Sequence, residues 1–301
     1  MATTFSALLR STRDALLPIA DELSLSEAER ILQHVLRCQR SDLYLSPTRL
    51  VDGQQRARVD TFIKRRLTGE PLQYVLGIAH FYSLSLVVGP DVLIPRPETE
   101  ILVETVLAHE KANHERYLDF GVGSGAICAA LALNRPRWHG VGLDVSPAAL
   151  RIARINCSPP NVKLLCCNAF SAIRTLSVAG RIARSRSEPS FGVIAGNAAA
   201  CFDFIVSNPP YVSDGEMLQL DDSVKLFEPH EALDGGRNGL DFYDMLARES
   251  KRILAPGGRL YCEIGATQGQ QVVDLLRRNE WKEIRIVPDL AQRSRVVFAV
   301  A

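Results

Sequence analysis

From about residue 98 to its end, the chain alternates between short β-rich apolar runs and longer segments with apolar residues at helical spacing. "YLDF", "GVGL", "VKLLCC", "FDFIVS", "GGRLYCEI", "WKEIRIVPD" and "SRVVFAV" read as strands. "AICAALALNRP", "PAALRIARIN" and "LDFYDMLARESKRIL" read as helices, with a further helix beginning near Glu98. Such alternation predicts right-handed βαβ units, hence an α/β domain built on a mostly parallel sheet with helices on both faces. The last two strands leave no room for a helix between them, so an antiparallel pair at one edge is expected.

The residues before this region follow a different rhythm. From Phe5 to about Leu67 apolar residues recur at helical spacing, as in Leu25, Ala28, Ile31, Leu32, Val35 and Leu36, with Ser26 and Glu29 placed as a capping box. A small helical domain is expected over residues 1–72, ending where "LTGEPLQYVLG" breaks the pattern with Gly69, Pro71 and Gly77. "HFYSLSLVVGPDVLIPR" then predicts a β-hairpin connector within residues 73–97, leaving 98–301 for the α/β domain. An insertion over about 172–200 interrupts that domain; Arg174, Arg181, Arg184 and Arg186 face Glu188 alone, which suits a solvated segment or a basic docking surface.

With 35 basic and 34 acidic residues the formal charge is +1, so nothing global argues for direct nucleic-acid contact or an anionic membrane. The seven cysteines form no CxxC pair, which favours buried thiols in a reducing compartment over zinc or disulfides; no metal site is expected. No apolar stretch reaches the roughly 18–20 residues that span a bilayer. The opening segment lacks a signal-peptide core and carries Asp14, Asp21 and Glu22, so a cytoplasmic monomer is the expectation.

The chemistry concentrates after the strands. "LDFGVGSGAICAAL" sets Asp119, Gly121, Val122, Gly123, Ser124 and Gly125 between an apolar strand and an apolar helix. Glycines there let the backbone turn tightly and approach a ligand, and the helix N-terminus offers free N–H groups. Asp144 ends the next strand, where a carboxylate can accept both hydroxyls of a ribose. The D-x-G-x-G-x-G pattern resembles the cofactor loop of the Rossmann-like methyltransferases, a likeness covering most of residues 98–301. It implies a seven-stranded sheet and S-adenosylmethionine as cofactor, with Asp144 on the adenosine ribose and the Gly121–Gly125 loop beneath the methionine part.

"NPPY", Asn208 to Tyr211, follows the run "FDFIVS", which delivers Asn208 to the carboxyl edge of the sheet, where ligands of open α/β sheets bind. The Asn208 amide oxygen and the Pro209 carbonyl can each accept a hydrogen from a planar –NH2 group, while Pro209 and Pro210 bring no competing N–H. Tyr211 can lie against the face of that group. The set suits methyl transfer to a nitrogen whose lone pair is delocalised, where orientation and acceptors that strengthen as positive charge develops supply the acceleration.

NPPY resembles the motif of methyltransferases acting on exocyclic or amide nitrogens: adenine in DNA, guanine in RNA and glutamine in proteins. "GEPLQYVLG", "FYSLSLVVGPDVLIPRPETE", "FEPHEALDGGRNGLDFY" and the helical N-terminal domain together resemble the release factor glutamine N5-methyltransferases, often called HemK or PrmC proteins, over the whole chain apart from the insertion. The resemblance implies methylation of the Gly-Gly-Gln glutamine of peptide chain release factors, with the N-terminal domain holding the protein substrate. A ribosomal-protein glutamine methyltransferase is the alternative, and a DNA adenine or rRNA guanine enzyme a more distant one. Asn208 is expected to serve cofactor as well as substrate. Where relatives carry an acidic residue and an aromatic after the third strand, this chain has Asn168, Ala169 and Phe170; Asn168 can still accept from an adenine amino group, and Phe170 can supply a stacking surface. Arg96 and Glu98 of "IPRPETE", and Glu228 of "FEPHEAL", are candidates at the substrate mouth, although Pro97, Glu98 and Glu100 also make an ordinary helix start.

Overall fold

In the computed structural model, residues 3–157, 160–168 and 202–301 are described. Ala169, Phe170 and the insertion over about 172–200 lie outside them. The chain divides into two compact units, Met1–Ile78 with Asp221–Phe227, and Ala79–Leu220 with Glu228–Ala301. Nothing in the linear pattern anticipates that residues 221–227 group with the N-terminal unit.

The N-terminal unit contains α1 (Phe5–Ala20), α2 (Ser24–Leu36), the short α3 (Asp42–Leu45), α4 (Gly53–Leu67) and α5 (Leu72–Leu76), with a two-residue pairing of β1 (Thr3–Thr4) and β2 (Leu50–Val51). Its core is built by Leu8, Leu16, Ile31, Leu32, Leu43 and Val59, all at most 1% exposed, which are the apolar positions of the helical pattern. The capping box expected at Ser26 and Glu29 does not form. The helix starts two residues earlier, Ser26 Oγ donates back to the Leu23 carbonyl at 3.0 Å, and Glu29 pairs with Arg40 at 2.7 Å. A capping box instead opens α4, where Asp52 and Gln55 bond reciprocally.

A hairpin of β3 (Ile78–Phe81) and β4 (Leu84–Val87) comes next in the chain, its turn residues Tyr82 and Ser83 taking φ of 48° and 63°. Then follow α6 (Thr99–His109), β5 (Arg116–Phe120), α7 (Ala126–Asn134), β6 (His139–Asp144), α8 (Pro147–Asn156), β7 (Val162–Cys166), β8 (Phe202–Ser207), β9 (Leu254–Glu263), β10 (Lys282–Pro288) and β11 (Ser294–Val300). A seven-stranded sheet runs in the order β10-β11-β9-β8-β5-β6-β7. β11 is antiparallel to both β9 and β10, so the reversed strand lies inside the edge and β10 is outermost. Burial explains the order: Val296, Val297, Phe298 and Ala299 of β11 are buried, whereas β10 exposes Lys282, Glu283, Arg285 and Ile286.

Alternate residues feed two cores. Leu118, Ile205, Leu260 and Cys262 pack with the helices Asp241–Glu249 and Gly269–Arg278; Tyr117, Phe204, Tyr261 and Phe298 pack with α6 and α7. The helix Gly269–Arg278 is one that the pattern reading did not single out. Among the described residues no helix is long and apolar enough to cross a membrane.

β5 pairs with β6 on one side and β8 on the other, so strand order reverses beside β5. Loops leaving β5, β6 and β8 therefore open onto one crevice at the carboxyl edge, the place where such sheets bind ligands.

Candidate active site

The loop after β5 is a left-handed turn: Gly121, Gly123 and Gly125 have φ of 75°, 52° and 82°. Gly121 N–H and Val122 N–H both donate to the Leu143 carbonyl, at 3.0 and 2.8 Å, which ties the loop to the neighbouring strand end. Gly125 has a second reason to lack a side chain. A Cβ there would sit 2.7 Å from Cys157 Sγ and 3.2 Å from Ala153 Cα, so glycine is what lets the loop close on α8.

Asp144, at the tip of β6, accepts from Gly123 N–H at 2.8 Å through Oδ2 and from Ser146 N–H at 2.9 Å through Oδ1. Burial pushes its carboxyl above the ordinary aspartate value, and these backbone donors work against that rise. Each oxygen keeps lone-pair capacity on a wall of the pocket.

The pocket is lined by Gly121, Val122, Gly123, Ser124, Asp144, Asn208 and Pro210, with apolar surface from Phe120, Val145 and Phe242 and the Arg96 side chain at its margin. A glycine loop, a strand-tip carboxylate and apolar walls fit an adenosine-bearing cofactor such as S-adenosylmethionine. Gly125 stands behind the loop against α8. Asp119 stands behind it too: the residue is fully buried, and among the described residues neither carboxylate oxygen has a hydrogen-bond partner in bonding geometry. Burial raises its carboxyl to about 7, partly offset by the nearby Cys128, and Asp119 is not among the residues that line the pocket. Asn168 is exposed, one residue beyond the pocket-lining Cys167.

Asn208 follows the last residue of β8, Ser207, whose Oγ donates to the Phe120 carbonyl at 2.7 Å. Its Nδ2 donates to Thr99 Oγ1 at 3.1 Å. Pro209 is buried, and Pro210 lines the pocket. Tyr211 lies outside the lining; its hydroxyl donates to Glu263 Oε1 at 3.4 Å, and burial pushes the phenol well above its ordinary value. Glu263, fully buried at the end of β9, also accepts from Thr99 Oγ1 at 2.6 Å; burial lifts its carboxyl to about 7 against the pull of Thr99 and Arg295.

The chain after the tetrapeptide is held by "DGGRNG". Val212 N–H donates to the Leu233 carbonyl and Gly235 N–H to the Val212 carbonyl, each at 2.9 Å. Gln268 Nε2 reaches the Tyr211 carbonyl at 2.9 Å and the Gly239 carbonyl at 3.1 Å. Thr99 sat inside the quoted "IPRPETE" with no role assigned to it, and Glu263 and Gln268 carried no motif. The signal was weak: an acidic residue closing the apolar run "RLYCE", at the same sheet edge as Asp144 and Asn208.

Of the mouth candidates, Glu98 is exposed at the start of α6 and does not line the pocket. Glu228 is buried, not solvated: its Oε1 accepts from Arg96 Nη2 at 2.6 Å and its Oε2 from Ile94 N–H at 3.1 Å. Glu228 therefore sets the position of Arg96 and does not itself meet the pocket.

Residues 7–77 match the PrmC N-terminal domain family and residues 111–283 a methyltransferase domain family. Curated relatives run nearly end to end. A release factor glutamine methyltransferase of Koribacter versatilis is 39% identical, covering 90% of this chain and 89% of its own. The Coxiella burnetii protein of the same name is 37% identical over 91% and 90% of the two chains, and that of Nitratidesulfovibrio vulgaris 34% over 98% and 95%.

Proposed function

The chain belongs to the release factor glutamine methyltransferase family, and from that premise we propose how its residues carry out the reaction: methylation, by S-adenosylmethionine, of the side-chain amide nitrogen of the Gly-Gly-Gln glutamine in a peptide chain release factor. The observation that carries the reading is the meeting of three strand tips. Asn208 and Pro210 after β8 line the same pocket as the glycine loop after β5 and Asp144 after β6.

S-adenosylmethionine, when bound, supplies an electrophilic methyl group on a sulfonium. Asp144 would hold its ribose hydroxyls, and the backbone of Gly121–Gly123 its amino-acid part, with the apolar walls around the base. The amide nitrogen of glutamine is a poor nucleophile because its lone pair is delocalised. Asn208 Oδ1 and the Pro209 carbonyl accept its two hydrogens, which fixes the nitrogen and turns its lone pair towards the methyl. These acceptors interact more favourably as the nitrogen becomes positive, so they lower the barrier more than they stabilise the ground state. Tyr211, outside the pocket lining and held by its hydroxyl on Glu263, fixes the far end of the segment that carries Asn208 and Pro209. No strong base is needed before attack; once the nitrogen has become cationic and acidic, its proton passes to solvent water.

The N-terminal helical unit serves, in this reading, as the docking element for the release factor, and the enzyme works in the cytoplasm with its substrate. Selection cannot come from the –NH2 clamp alone, because adenine and guanine present the same group. A glycine-flanked loop can enter a narrow pocket, whereas a duplex base must first be flipped out at a cost of a few kcal/mol.

The test offers intact release factor, its isolated loop peptide, ribosomal protein and duplex DNA to the enzyme with labelled cofactor, and locates the label by mass spectrometry. Label on the release factor glutamine, with the peptide much poorer, is expected. Preferential labelling of ribosomal protein or DNA overturns the reading. Asn208→Ala should leave cofactor binding largely intact and lower turnover by orders of magnitude.

A further inference from the structure

Both ends of the Asn208–Tyr211 segment are tied to one carboxylate. Glu263 Oε2 accepts from Thr99 Oγ1 at 2.6 Å, Thr99 Oγ1 accepts from Asn208 Nδ2 at 3.1 Å, and Glu263 Oε1 accepts from the Tyr211 hydroxyl at 3.4 Å. Thr99 is 4% exposed and Glu263 0%. Three elements meet in this chain: the first residue of α6, the end of β9 and the segment after β8.

The direction of every bond follows from counting protons. Burial raises the Glu263 carboxyl to about 7, and the Arg295 guanidinium, 4.0 Å from Oε1, works against that rise; in its ionised form, above that pH, the carboxylate can only accept. The Thr99 hydroxyl must therefore give its single proton to Glu263. Its oxygen is left with lone pairs alone on the side of Asn208, so Asn208 must turn its NH2 group to Thr99. The amide oxygen then points the other way. A flipped Asn208 would set its oxygen against the Thr99 lone pairs and present N–H donors to a substrate group that also donates.

We propose that Thr99 and Glu263 are positioning residues for methyl transfer: a one-way hydrogen-bond chain from Glu263 through Thr99 orients the Asn208 amide with its oxygen towards the substrate nitrogen, and the same carboxylate holds Tyr211. The inference rests on the reading of Asn208 as the acceptor for the substrate amide. It differs from a structural role because losing it changes the population of two amide orientations and leaves the pocket's shape alone. An isosteric change that removes only the Thr99 proton should therefore appear in kcat, with little effect on binding.

Thr99→Val, Thr99→Ser, Glu263→Gln and Asn208→Ala, with the double variant Thr99→Val/Asn208→Ala, separate these cases when assayed with intact release factor. Thr99→Val should lower kcat roughly 10- to 100-fold, as expected for losing the bond that holds one orientation, with KM for the release factor and Kd for cofactor within about threefold of wild type. Thr99→Ser, which keeps the hydroxyl, should recover wild-type kcat within about threefold. Glu263→Gln should also lower kcat, because an amide can donate to Thr99 and let the chain reverse. In the Asn208→Ala background, Thr99→Val should cost nothing further, since the group it orients is gone. Wild-type kcat in folded Thr99→Val, no recovery in Thr99→Ser, or an additive loss in the double variant overturns the proposal while the role of Asn208 stands. Full turnover in Asn208→Ala removes the parent reading instead, and this one with it.

Discussion

Asp144 Oδ2 accepts a 2.8 Å hydrogen bond from the backbone N–H of Gly123, so the tip of β6 holds up the glycine loop that leaves β5. The carboxylate that would grip a ribose is thus the group that shapes the loop beside it. Asp144→Ala should weaken S-adenosylmethionine binding by about 1.5–3 kcal/mol, the range for losing charge-assisted bonds. Calorimetry checks this; unchanged affinity would move the ribose contact to another residue.

Gly239 has φ of 68°, and a methyl group placed on it would collide with the Tyr211 carbonyl oxygen and lie 2.6 Å from Gln268 Nε2. Gly239→Ala should therefore displace Tyr211 and cost about 1–3 kcal/mol of stability as backbone strain. Turnover should fall at least about tenfold with cofactor affinity nearly unchanged, because the glycine loop is not touched. Parallel thermal melts, calorimetry and initial rates separate the three effects.

Arg96 and Glu228 meet at 2.6 Å, with the Glu228 side chain 1% exposed and that of Arg96 33% exposed. Removing only the cation strands a buried carboxylate. Arg96→Ala should thus be less stable than Arg96→Ala/Glu228→Gln, and denaturant midpoints should show the second change restoring part of the loss. Equal midpoints would mean that Ile94 N–H alone satisfies Glu228.

Away from the pocket, burial first and then the charges of Asp203 and Glu110 raise the Glu115 carboxyl from 4.5 to about 7, against the pull of Arg259 at 3.8 Å. The folded-state value lies above the unfolded one, so the fold retains a proton that the unfolded chain releases. This contribution to stability is present at low pH and is lost as pH rises through about 7. Glu115→Gln should flatten the fall of melting temperature between about pH 5 and about pH 8. A variant with the wild-type slope would show that Glu115 titrates at its ordinary value.

Much of this was legible in the sequence because it is local. Hydrophobic periods of two and 3.6 residues mark strands and helices whichever way they pack, and glycines mark turns that need positive φ. Gly121, Gly123 and Gly125, Asp144 and Asn208 could be placed at strand ends for that reason, and a mostly parallel α/β sheet that binds ligands beyond its carboxyl edge follows from the alternation, whereas the strand order that makes the crevice does not. The antiparallel pairing of the last two strands was visible as well. That β11 is the reversed one and lies between β9 and β10 was not, because burial on both faces is a property of the assembled sheet.

What only the tertiary structure decided is which polar groups share a hydrogen. Asp119 and Glu263 are both acidic residues in apolar strands, yet among the described residues one has no hydrogen-bond partner behind the glycine loop and the other holds Thr99 and Tyr211. Thr99 and Glu263 are 164 residues apart in the chain, and Asn208 lies 109 residues from Thr99. No period or motif encodes such a meeting. It arises when strand order brings the ends of β8 and β9 beside the start of α6, where burial makes each unpaired proton or lone pair costly and so fixes which way every side chain must point.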